Sequence, residues 1–449
     1  MGSLRGVFVR VLARLATLGW FRTVEHTGLE HLPDDGPVLV VANHGGGFVD
    51  PALLAATLPR FPRFLAMATL WRTPARPFLW LAGAIPVHRS VDGGTGGNLH
   101  TFAACHDVLA GGGVIGIFPE GQASDEPHLL PVKTGAARIA IGARARGTQG
   151  MKILPVGLIY EDKARARAAA YVRIGPPLVL DRWIEEAFPG RAPGGHVIDD
   201  DDHEVVHALT EQIRARLAAV ALNFDDAAQS AAMVRAAEVA LRPLDSDPGW
   251  TPPLDDREDL AGRLAAAPAD QERSVVRAAV AYTTALEANA VTDRAVAADP
   301  SSHRRIHLFG DLLAVALIPL AVAGAVINVV PGLLTRAAGR PSMAPVTRAT
   351  VKFLVAFVVF PVTWVVWRYT AIADEPHPWL LTAFLGPICG LAGSWLVRRV
   401  ERGYRARLSL RELAGVQASL ASLRARRAAL VEAVERAAGA QGPSEAARS

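Results

Sequence analysis

Cysteine is almost absent from this chain of 449 residues, which contains only Cys105 and Cys389, far apart in the sequence. A disulfide framework needs an even set of conserved-looking, closely spaced cysteines, and a cysteine-based zinc site needs several thiolates. The composition argues against the first and excludes the second. Two isolated cysteines are typical of a protein in a reducing compartment.

Aromatic residues are also scarce, at 6% of the chain, although the formal charge is +4 and the pI about 9.3. Most of the basic charge is arginine in helix-like stretches with few aromatic side chains between them. This pattern favours anionic lipid or anionic substrates over nucleic acid. The sequence also lacks the GK[ST] of a phosphate-binding Walker loop and the GxSxG of a serine hydrolase.

Apolar residues, by contrast, make up 51% of the chain, and the mean hydropathy is +0.23. In residues 1–24, leucine, valine and phenylalanine recur at helical spacing, and Arg5, Arg10 and Arg14 interrupt the run. The arginines argue against a signal peptide. We expect an amphipathic helix on a membrane surface, the alternative being a helix packed in the core.

Residues 25–185 alternate between short Val- and Ile-rich runs, bounded by Gly or Pro, and helix-like stretches. The runs VLVVAN, VIGIFP, KILPVGLIY and AYVRIGPPLVL are typical of buried strands. This alternation predicts an α/β domain with a mixed or parallel sheet covered by helices.

Residues 186–302 are Ala-rich and predict a helical connector, in which the acidic run 199–202 caps the following helix. Residues 303–399 are apolar and predict a membrane domain. Spans are expected at 353–371 and 379–397, and a re-entrant hairpin, broken near Pro319 or Gly324, at 308–334. Residues 400–449 predict a polar helical tail.

Flanking charge suggests the orientation of these segments. Arginines precede and follow 308–334 and follow 379–397, whereas the loop 372–378 carries Asp374 and Glu375. The positive-inside rule then leaves only that loop outside. We expect an integral membrane protein with its α/β domain on the cytoplasmic side.

Four short stretches with chemical character follow in order within about 120 residues. They are NHGGGFVDP at 43–51, GAIPVHRS at 83–90, IFPEGQAS at 117–124 and ILPVGL at 153–158. Asp50 could bond one imidazole nitrogen of His44, which leaves the other free to take a proton from a hydroxyl. The glycines would let a thioester or an alcohol approach the backbone. By itself, Asp50 before Pro51 is more commonly a helix cap than a catalytic residue.

The other stretches supply groups that suit an anionic substrate. Arg89 ends a strand-like run, where a guanidinium can bind phosphate through two hydrogen bonds, although a surface arginine is the commoner case. Glu120 and Gly121 end a buried strand, which is where ligands collect in α/β sheets. Lys133 opens the next helix, where backbone N–H groups and a cation can meet an anion.

The four stretches resemble the four motifs of the glycerolphosphate acyltransferase family, which run NH-x(4)-D, G-x-x-x-[IV]-x-R, FPEG-[TS]-R-S and [IV]-[VI]-P-[VI]. The resemblance covers roughly residues 35–180. Five residues separate His44 from Asp50 where most members have four. That spacing, the residues after FPEG and the apolar C-terminal part resemble the branch that includes glycerol-3-phosphate and dihydroxyacetone-phosphate acyltransferases.

The resemblance implies a role for each matching residue. His44 is the general base and Asp50 orients it; Arg89, Glu120 and Gly121 shape the acceptor site, with Arg89 on the phosphate. Pro155 shapes the wall near the acyl chain. The arginine that usually follows FPEG-[TS] is replaced by Ala123, and the cations that could substitute for it are Lys133, Arg165 and Arg167.

The implied function is a membrane-bound acyltransferase. It would move a fatty acyl group from acyl-CoA, or an acyl carrier protein, to the hydroxyl of glycerol 3-phosphate, with no metal and no cofactor. The alternatives are acylation of 1-acylglycerol 3-phosphate to give phosphatidate, hydrolysis of the acyl thioester, and an inactive lipid-binding relative. Membrane lipid is the expected partner, and nucleic acid is not.

Overall fold

The computed structural model describes residues 4–73, 75–88, 98–189, 198–222, 224–247, 250–298, 308–370 and 378–439. The chain forms two compact units. The sheet unit comprises Met1–Asn223 together with Gly339–Phe353, and the helical unit comprises Phe224–Ala338 together with Leu354–Ser449.

The sheet unit is built on a mixed sheet, as the sequence predicts. The described strands are β1 (Thr23–Thr27), β2 (Val38–Ala42), β3 (Arg63–Met67), β4 (Ile85–Val87), β5 (Val114–Ile117), β6 (Lys152–Tyr160), β7 (Ala169–Ile174) and β8 (Leu178–Val179). Their order is β1-β7-β6-β2-β5-β3-β4, and β8 pairs with β6. The five strands β6, β2, β5, β3 and β4 run parallel, whereas β7 and β8 are antiparallel to β6.

Strand β2 lies at the centre of the core. All five residues of its VLVVA run are buried, because β5 and β6 pair with it on both sides and helices cover the sheet. A strand that is buried on both faces has no solvent side, so its sequence is continuously apolar instead of alternating. Leu39 and Val41 belong to one hydrophobic cluster with Ile139, Ile141 and Leu209.

Helices cover this sheet and extend the unit beyond its predicted end at residue 185. They are α1 (Leu4–Trp20), α2 (Val49–Thr57), α3 (Arg76–Ala82), α4 (Asn98–Ala110), α5 (Gly135–Ala145), α6 (Leu180–Ala187) and α7 (His203–Val220). Helix α7 belongs to the sheet unit because it buries Val205, Leu209 and Ile213 in the core. Asp202 accepts a hydrogen bond from the Val205 N–H, which confirms the predicted cap.

Helix α1 presents its apolar side chains outward. Its buried residues are Ala13, Thr17 and Trp20, and Arg14 Nε donates to the Ala56 carbonyl at 3.2 Å. The exposed side chains are Val7, Phe8, Val11, Leu15 and Leu18. The helix therefore packs on the sheet unit through Ala13, Thr17 and Trp20 and leaves an apolar stripe uncovered.

The helical unit contains α8 (Ala227–Leu241), α9 (Leu254–Ala265), α10 (Ala269–Ala288), α11 (Asp293–Val296), α12 (Leu308–Ala338), α14 (Pro378–Gly415) and α15 (Leu420–Gly439). The predicted tail is part of this unit, because α15 packs against α10 and buries Leu423 and Leu430. Buried Arg427 donates to Asp293 at 3.0 Å, and so does the hydroxyl of Tyr282 at 2.8 Å. Asp293 Oδ1 therefore accepts both hydrogen bonds, and the buried Arg427 charge is paired with a carboxylate.

The expected break near Pro319 or Gly324 is wrong, because α12 is one continuous helix through both positions. A Cβ added at Gly324 would lie 2.2 Å from the Cys389 carbonyl oxygen of α14. Gly324 therefore permits close helix packing and does not mark a turn. Proline is tolerated inside such apolar helices where neighbouring helices pack against them.

Within the described residues, two helices are long and apolar enough to cross a membrane, Val315–Ala338 and Pro345–Thr370. The second is α13 (Pro345–Thr370), which begins earlier than the predicted span at 353. Its first residues, through Phe353, belong to the sheet unit and the rest to the helical unit. The predicted third span falls within α14, whose described apolar stretch is Gly386–Val397.

Candidate active site

Each motif follows, or lies in, a strand of the parallel part of the sheet. His44 comes directly after β2, Glu120 after β5, and Tyr160 ends β6. Because these strands run parallel, their carboxyl ends meet at one edge of the sheet, which is where α/β proteins place their ligands.

His44 and Asp50 form the predicted pair. His44 Nδ1 lies 2.7 Å from Asp50 Oδ2, and the Asp50 side chain is fully buried, whereas that of His44 is 19% exposed. A carboxylate acceptor at Nδ1 fixes the tautomer that keeps the lone pair on Nε2. The arrangement gives a positioned imidazole that can take a proton from a hydroxyl.

Asp50 is held by two further groups, at the first turn of α2. The Gly46 N–H donates to both carboxylate oxygens, at 3.0 and 2.9 Å. A Cβ at Gly46 would lie 2.5 Å from Asp50 Oδ1, so this position requires glycine. Gly46 is therefore needed beside the carboxylate, a reason that differs from the substrate approach expected from the sequence.

The Tyr160 hydroxyl donates the other hydrogen bond to Asp50 Oδ1. Burial raises the pKa of Tyr160 well above its ordinary value, and the negative charge of Asp50 raises it further. The hydroxyl therefore stays protonated and remains a donor. Sequence reasoning missed this residue, although its place at the end of β6, beside β2, was a usable signal.

Glu120 is buried, and each of its carboxylate oxygens accepts a hydrogen bond from a backbone N–H. Oε1 accepts from the His44 N–H at 2.8 Å and Oε2 from the Leu130 N–H at 2.9 Å. Burial raises the pKa of Glu120, and the two backbone N–H groups act against that rise. The structure therefore shows Glu120 holding the backbone at His44, whereas the sequence suggested a contact with the acceptor.

The ring of Phe118 stacks on the ring of His44, with centroids 4.2 Å apart and an interplanar angle of 14°. The sequence alone indicated no role for Phe118 beyond its place in the FPEG motif. A flat apolar ring on one face of the imidazole limits its rotation and covers that face. The Ser124 N–H also donates to the His44 carbonyl at 2.9 Å, so the loop after β5 supports His44 at three points.

Lys133 and Gly121 lie together beside this loop. A Cβ at Gly121, where φ is +71°, would lie 2.6 Å from Lys133 Nζ. The exposed Lys133 side chain thus crosses directly over the glycine. The backbone N–H of Lys133 donates to the Pro119 carbonyl at 2.9 Å. The pair brings a cation next to the Glu120 turn.

The other candidate cations are engaged elsewhere. Arg165 forms an ion pair with Glu161 at 2.7 Å, and Arg167 donates to the carbonyls of Leu18 and Phe21 at the end of α1. A role for either in place of the arginine missing after FPEG stays a prediction. Arg89 lies outside the described residues, two positions after β4 ends at Val87.

Pro155 is buried inside the sheet. It pairs in register with Val41 of β2, and its carbonyl accepts from the Gly175 N–H at 2.9 Å. It lies one residue before the level at which β2 ends, and its role near an acyl chain stays a prediction.

Part of the sheet unit is similar in sequence to known acyltransferases. Residues 23–159 match the Acyltransferase family model. Glycerol-3-phosphate O-acyltransferase 2 of Saccharomyces cerevisiae is 35% identical over 130 residues, which are 29% of this chain and 16% of the yeast protein. The 1-acyl-sn-glycerol-3-phosphate acyltransferase alpha of Mus musculus is 26% identical over 178 residues, 38% of this chain and 59% of the mouse protein.

This chain therefore spans less than two thirds of the length of these relatives. Among solved structures, the 1-acyl-sn-glycerophosphate acyltransferase PlsC of Thermotoga maritima is 18% identical, with a TM-score of 0.34 over 47% of this chain and 77% of that one. Residues 23–159, which contain the four motifs in order, thus match an acyltransferase domain, and the relatives similar to this part of the chain are glycerol-3-phosphate and 1-acyl-sn-glycerol-3-phosphate acyltransferases.

Proposed function

We propose that this chain is a membrane-bound acyltransferase that moves a fatty acyl group from an acyl thioester to the hydroxyl of glycerol 3-phosphate. The observation that carries the proposal is the His44–Asp50 pair, in which a fully buried carboxylate holds a partly exposed imidazole at the carboxyl edge of the sheet. The donor is acyl-CoA or an acyl carrier protein.

In the proposed step, His44 Nε2 takes the proton of the acceptor hydroxyl while its oxygen attacks the thioester carbonyl carbon. Asp50 stabilises the imidazolium that forms. The tetrahedral intermediate then collapses, the C–S bond breaks, and His44 returns its proton to the leaving sulfur. A positioned base of this kind contributes about 10² to 10⁴ in rate.

The acceptor phosphate needs cations at the same edge. We propose Lys133 as one of them, because its side chain crosses Gly121 beside the Glu120 turn. Arg89, two residues beyond β4, is the other that we propose, because a guanidinium binds phosphate oxygens in pairs.

Acylation of 1-acylglycerol 3-phosphate is the second candidate. The mouse relative is named for that reaction and aligns over a longer part of this chain than the yeast protein does. The five-residue spacing between His44 and Asp50 favours glycerol 3-phosphate, because it resembles the branch that acylates it.

Membrane attachment is proposed from two features. The sheet unit carries the uncovered apolar stripe of α1, and α12 and α13 contain the two candidate spans. Arg340, Arg348 and Lys352 lie in the segment Gly339–Phe353, which follows the first candidate span and belongs to the sheet unit, so we place the acyltransferase domain on the cytoplasmic side.

The test is acyl transfer by the purified protein in detergent, with labelled oleoyl-CoA and either glycerol 3-phosphate or 1-acylglycerol 3-phosphate. We expect acylated product with the first acceptor and a loss of about 10² or more with His44→Ala. Product with the second acceptor alone would reassign the substrate. Free fatty acid released without any acceptor would instead show a hydrolase.

A further inference from the structure

The segment Gly339–Phe353 is part of the sheet unit, although the residues on both sides of it in sequence belong to the helical unit. It contains the first two turns of α13, which buries Ala349 and Phe353. Phe353 packs edge to face on Trp20, with ring centroids 5.6 Å apart, and Lys352 Nζ donates to the Ala164 carbonyl at 3.2 Å. The start of a candidate membrane helix is therefore fixed within the sheet unit, which contains the acyltransferase domain.

A chain of contacts connects this segment to His44, at the start of the catalytic loop (residues 44–50). The Asp125 carboxylate accepts from the Val346 N–H at 3.0 and 3.3 Å, at the first turn of α13. Lys163 holds the same carboxylate at 2.7 Å and donates to the Ser124 carbonyl at 3.1 Å. Ser124, in turn, donates its N–H to the His44 carbonyl at 2.9 Å.

The second attachment reaches the middle of the loop. The Phe48 N–H donates to Thr350 Oγ1 at 3.3 Å. Gly47 has φ at +64°, and a Cβ there would lie 2.2 Å from Thr350 Oγ1. The glycine is thus needed both for its backbone conformation and for the space that the threonine hydroxyl occupies.

These contacts place Thr350 against Gly47 and Phe48, two of the three residues between Gly46 and Asp50. The Phe48 N–H stands at the start of α2, where no intrahelical carbonyl accepts it. A hydroxyl that accepts this N–H fixes the start of α2 and so fixes the carboxylate that this helix carries. Small displacements of a base and its orienting acid reduce a rate strongly.

We propose that Thr350 is a positioning residue for the reaction, which acts through the backbone of Gly47 and Phe48 on the His44–Asp50 pair. The inference rests on the proposed function for its kinetic part. It makes the first two turns of α13 a component of the acyltransferase unit, about 300 residues after the motif that they support.

The test compares Thr350→Val, which removes the hydroxyl at nearly constant volume, with Thr350→Ser, which keeps it. Thr363→Val is the matched control, because Thr363 lies on the same helix and its hydroxyl donates only to its own helix, at the Val359 carbonyl, in the described contacts. We expect Thr350→Val to lower kcat by about 3- to 10-fold, with KM for both substrates unchanged. Thr350→Ser and Thr363→Val should stay near wild type.

Amide hydrogen exchange across residues 44–50 is the second readout, and it does not depend on any substrate. Faster exchange in Thr350→Val than in Thr350→Ser and Thr363→Val supports the positioning role, even if the wild type transfers no acyl group and the proposed function fails. Equal exchange and equal kcat in all three variants would overturn the inference. Equal losses in Thr350→Val and Thr363→Val would also overturn it, since they would show only a general effect on the helix.

Discussion

The rings of His44 and Phe118 lie face to face in the acyltransferase domain, 4.2 Å apart between centroids. Phe118 is the first residue of FPEG, so the motif supports the proposed base with an aromatic ring as well as with the Glu120 carboxylate. The base is therefore fixed by groups on three different strand ends, at β2, β5 and β6.

Replacing Phe118 with leucine should lower kcat by up to about tenfold, because aromatic pairs contribute about 0.5 to 1.5 kcal/mol beyond the area they bury. Steady-state acyl transfer measures the effect. The control is Phe64→Leu. Phe64 stacks on the ring of Phe118, with centroids 6.0 Å apart, and reaches His44 only through it in the described ring contacts. Equal losses in the two variants would mean that the effect is one of general packing.

Tyr160→Phe should lower kcat by about tenfold, because a hydrogen bond to a charged group is lost from Asp50. The pKa of Tyr160 is raised, so the hydroxyl is protonated throughout the assay range and the bond persists as pH rises. We therefore expect the ratio of wild-type to variant activity to be the same at pH 7 and pH 10. A ratio that approaches one at pH 10 would show that the tyrosine ionises there, contrary to its burial.

Glu120→Gln tests a stability effect with a defined sign. The folded-state pKa of Glu120 is raised by burial, so folding favours the protonated form. Its stabilising contribution is greatest below the unfolded pKa and is lost as pH rises through the folded pKa. Glutamine does not titrate, and its amide cannot accept from both backbone N–H groups. Thermal unfolding should therefore show a wild-type advantage that shrinks from pH 4 to pH 7, and a gap that widened would contradict the assignment.

The apolar stripe of α1 predicts contact with lipid chains. A fluorophore attached at Leu15→Cys should be quenched by brominated lipids in proteoliposomes, whereas one at Arg182→Cys on α6 should not, because Arg182 is an exposed charged position. The background carries Cys389→Ser. Cys105 is buried, and burial raises its pKa to about 12, so it should not take up label. Equal quenching at the two sites would exclude the proposed orientation.

Gly324→Leu should destabilise the helical unit, because its Cβ would meet the Cys389 carbonyl oxygen at 2.2 Å. Gly332→Leu, on the same helix, is the control, since an added Cβ there meets nothing within 4 Å. Thermal unfolding in detergent measures both. A fall in Tm for Gly324→Leu alone is expected, and similar values would mean that α12 and α14 do not pack closely at this point.

The sheet and the catalytic pair were predictable because both are local in the sequence. Continuous apolar runs such as VLVVA identify buried strands, and a motif directly after such a run lies at the carboxyl edge. The continuity of α12 was not predictable, because the expected hairpin was inferred from flanking charge, whereas the packing of Gly324 on α14 is a contact between residues distant in the sequence. Thr350 has no local signal at all, since its role depends on a contact with Phe48, which is distant in the chain.

The return of the chain at Gly339–Phe353 has a consequence for how the protein is made. The motifs at 43–158 leave the ribosome long before the segment Gly339–Phe353 that contacts their loop. That segment follows the apolar helix α12 and leads into the apolar part of α13. A fragment cut to the matched residues 23–159 would retain His44, Asp50 and Glu120, and it would lack the hydroxyl that holds Phe48. Completion of the catalytic loop is therefore tied to placement of α13, so a chain in which the start of that helix has not yet packed on the sheet unit would carry every motif without the Thr350 contact to Phe48.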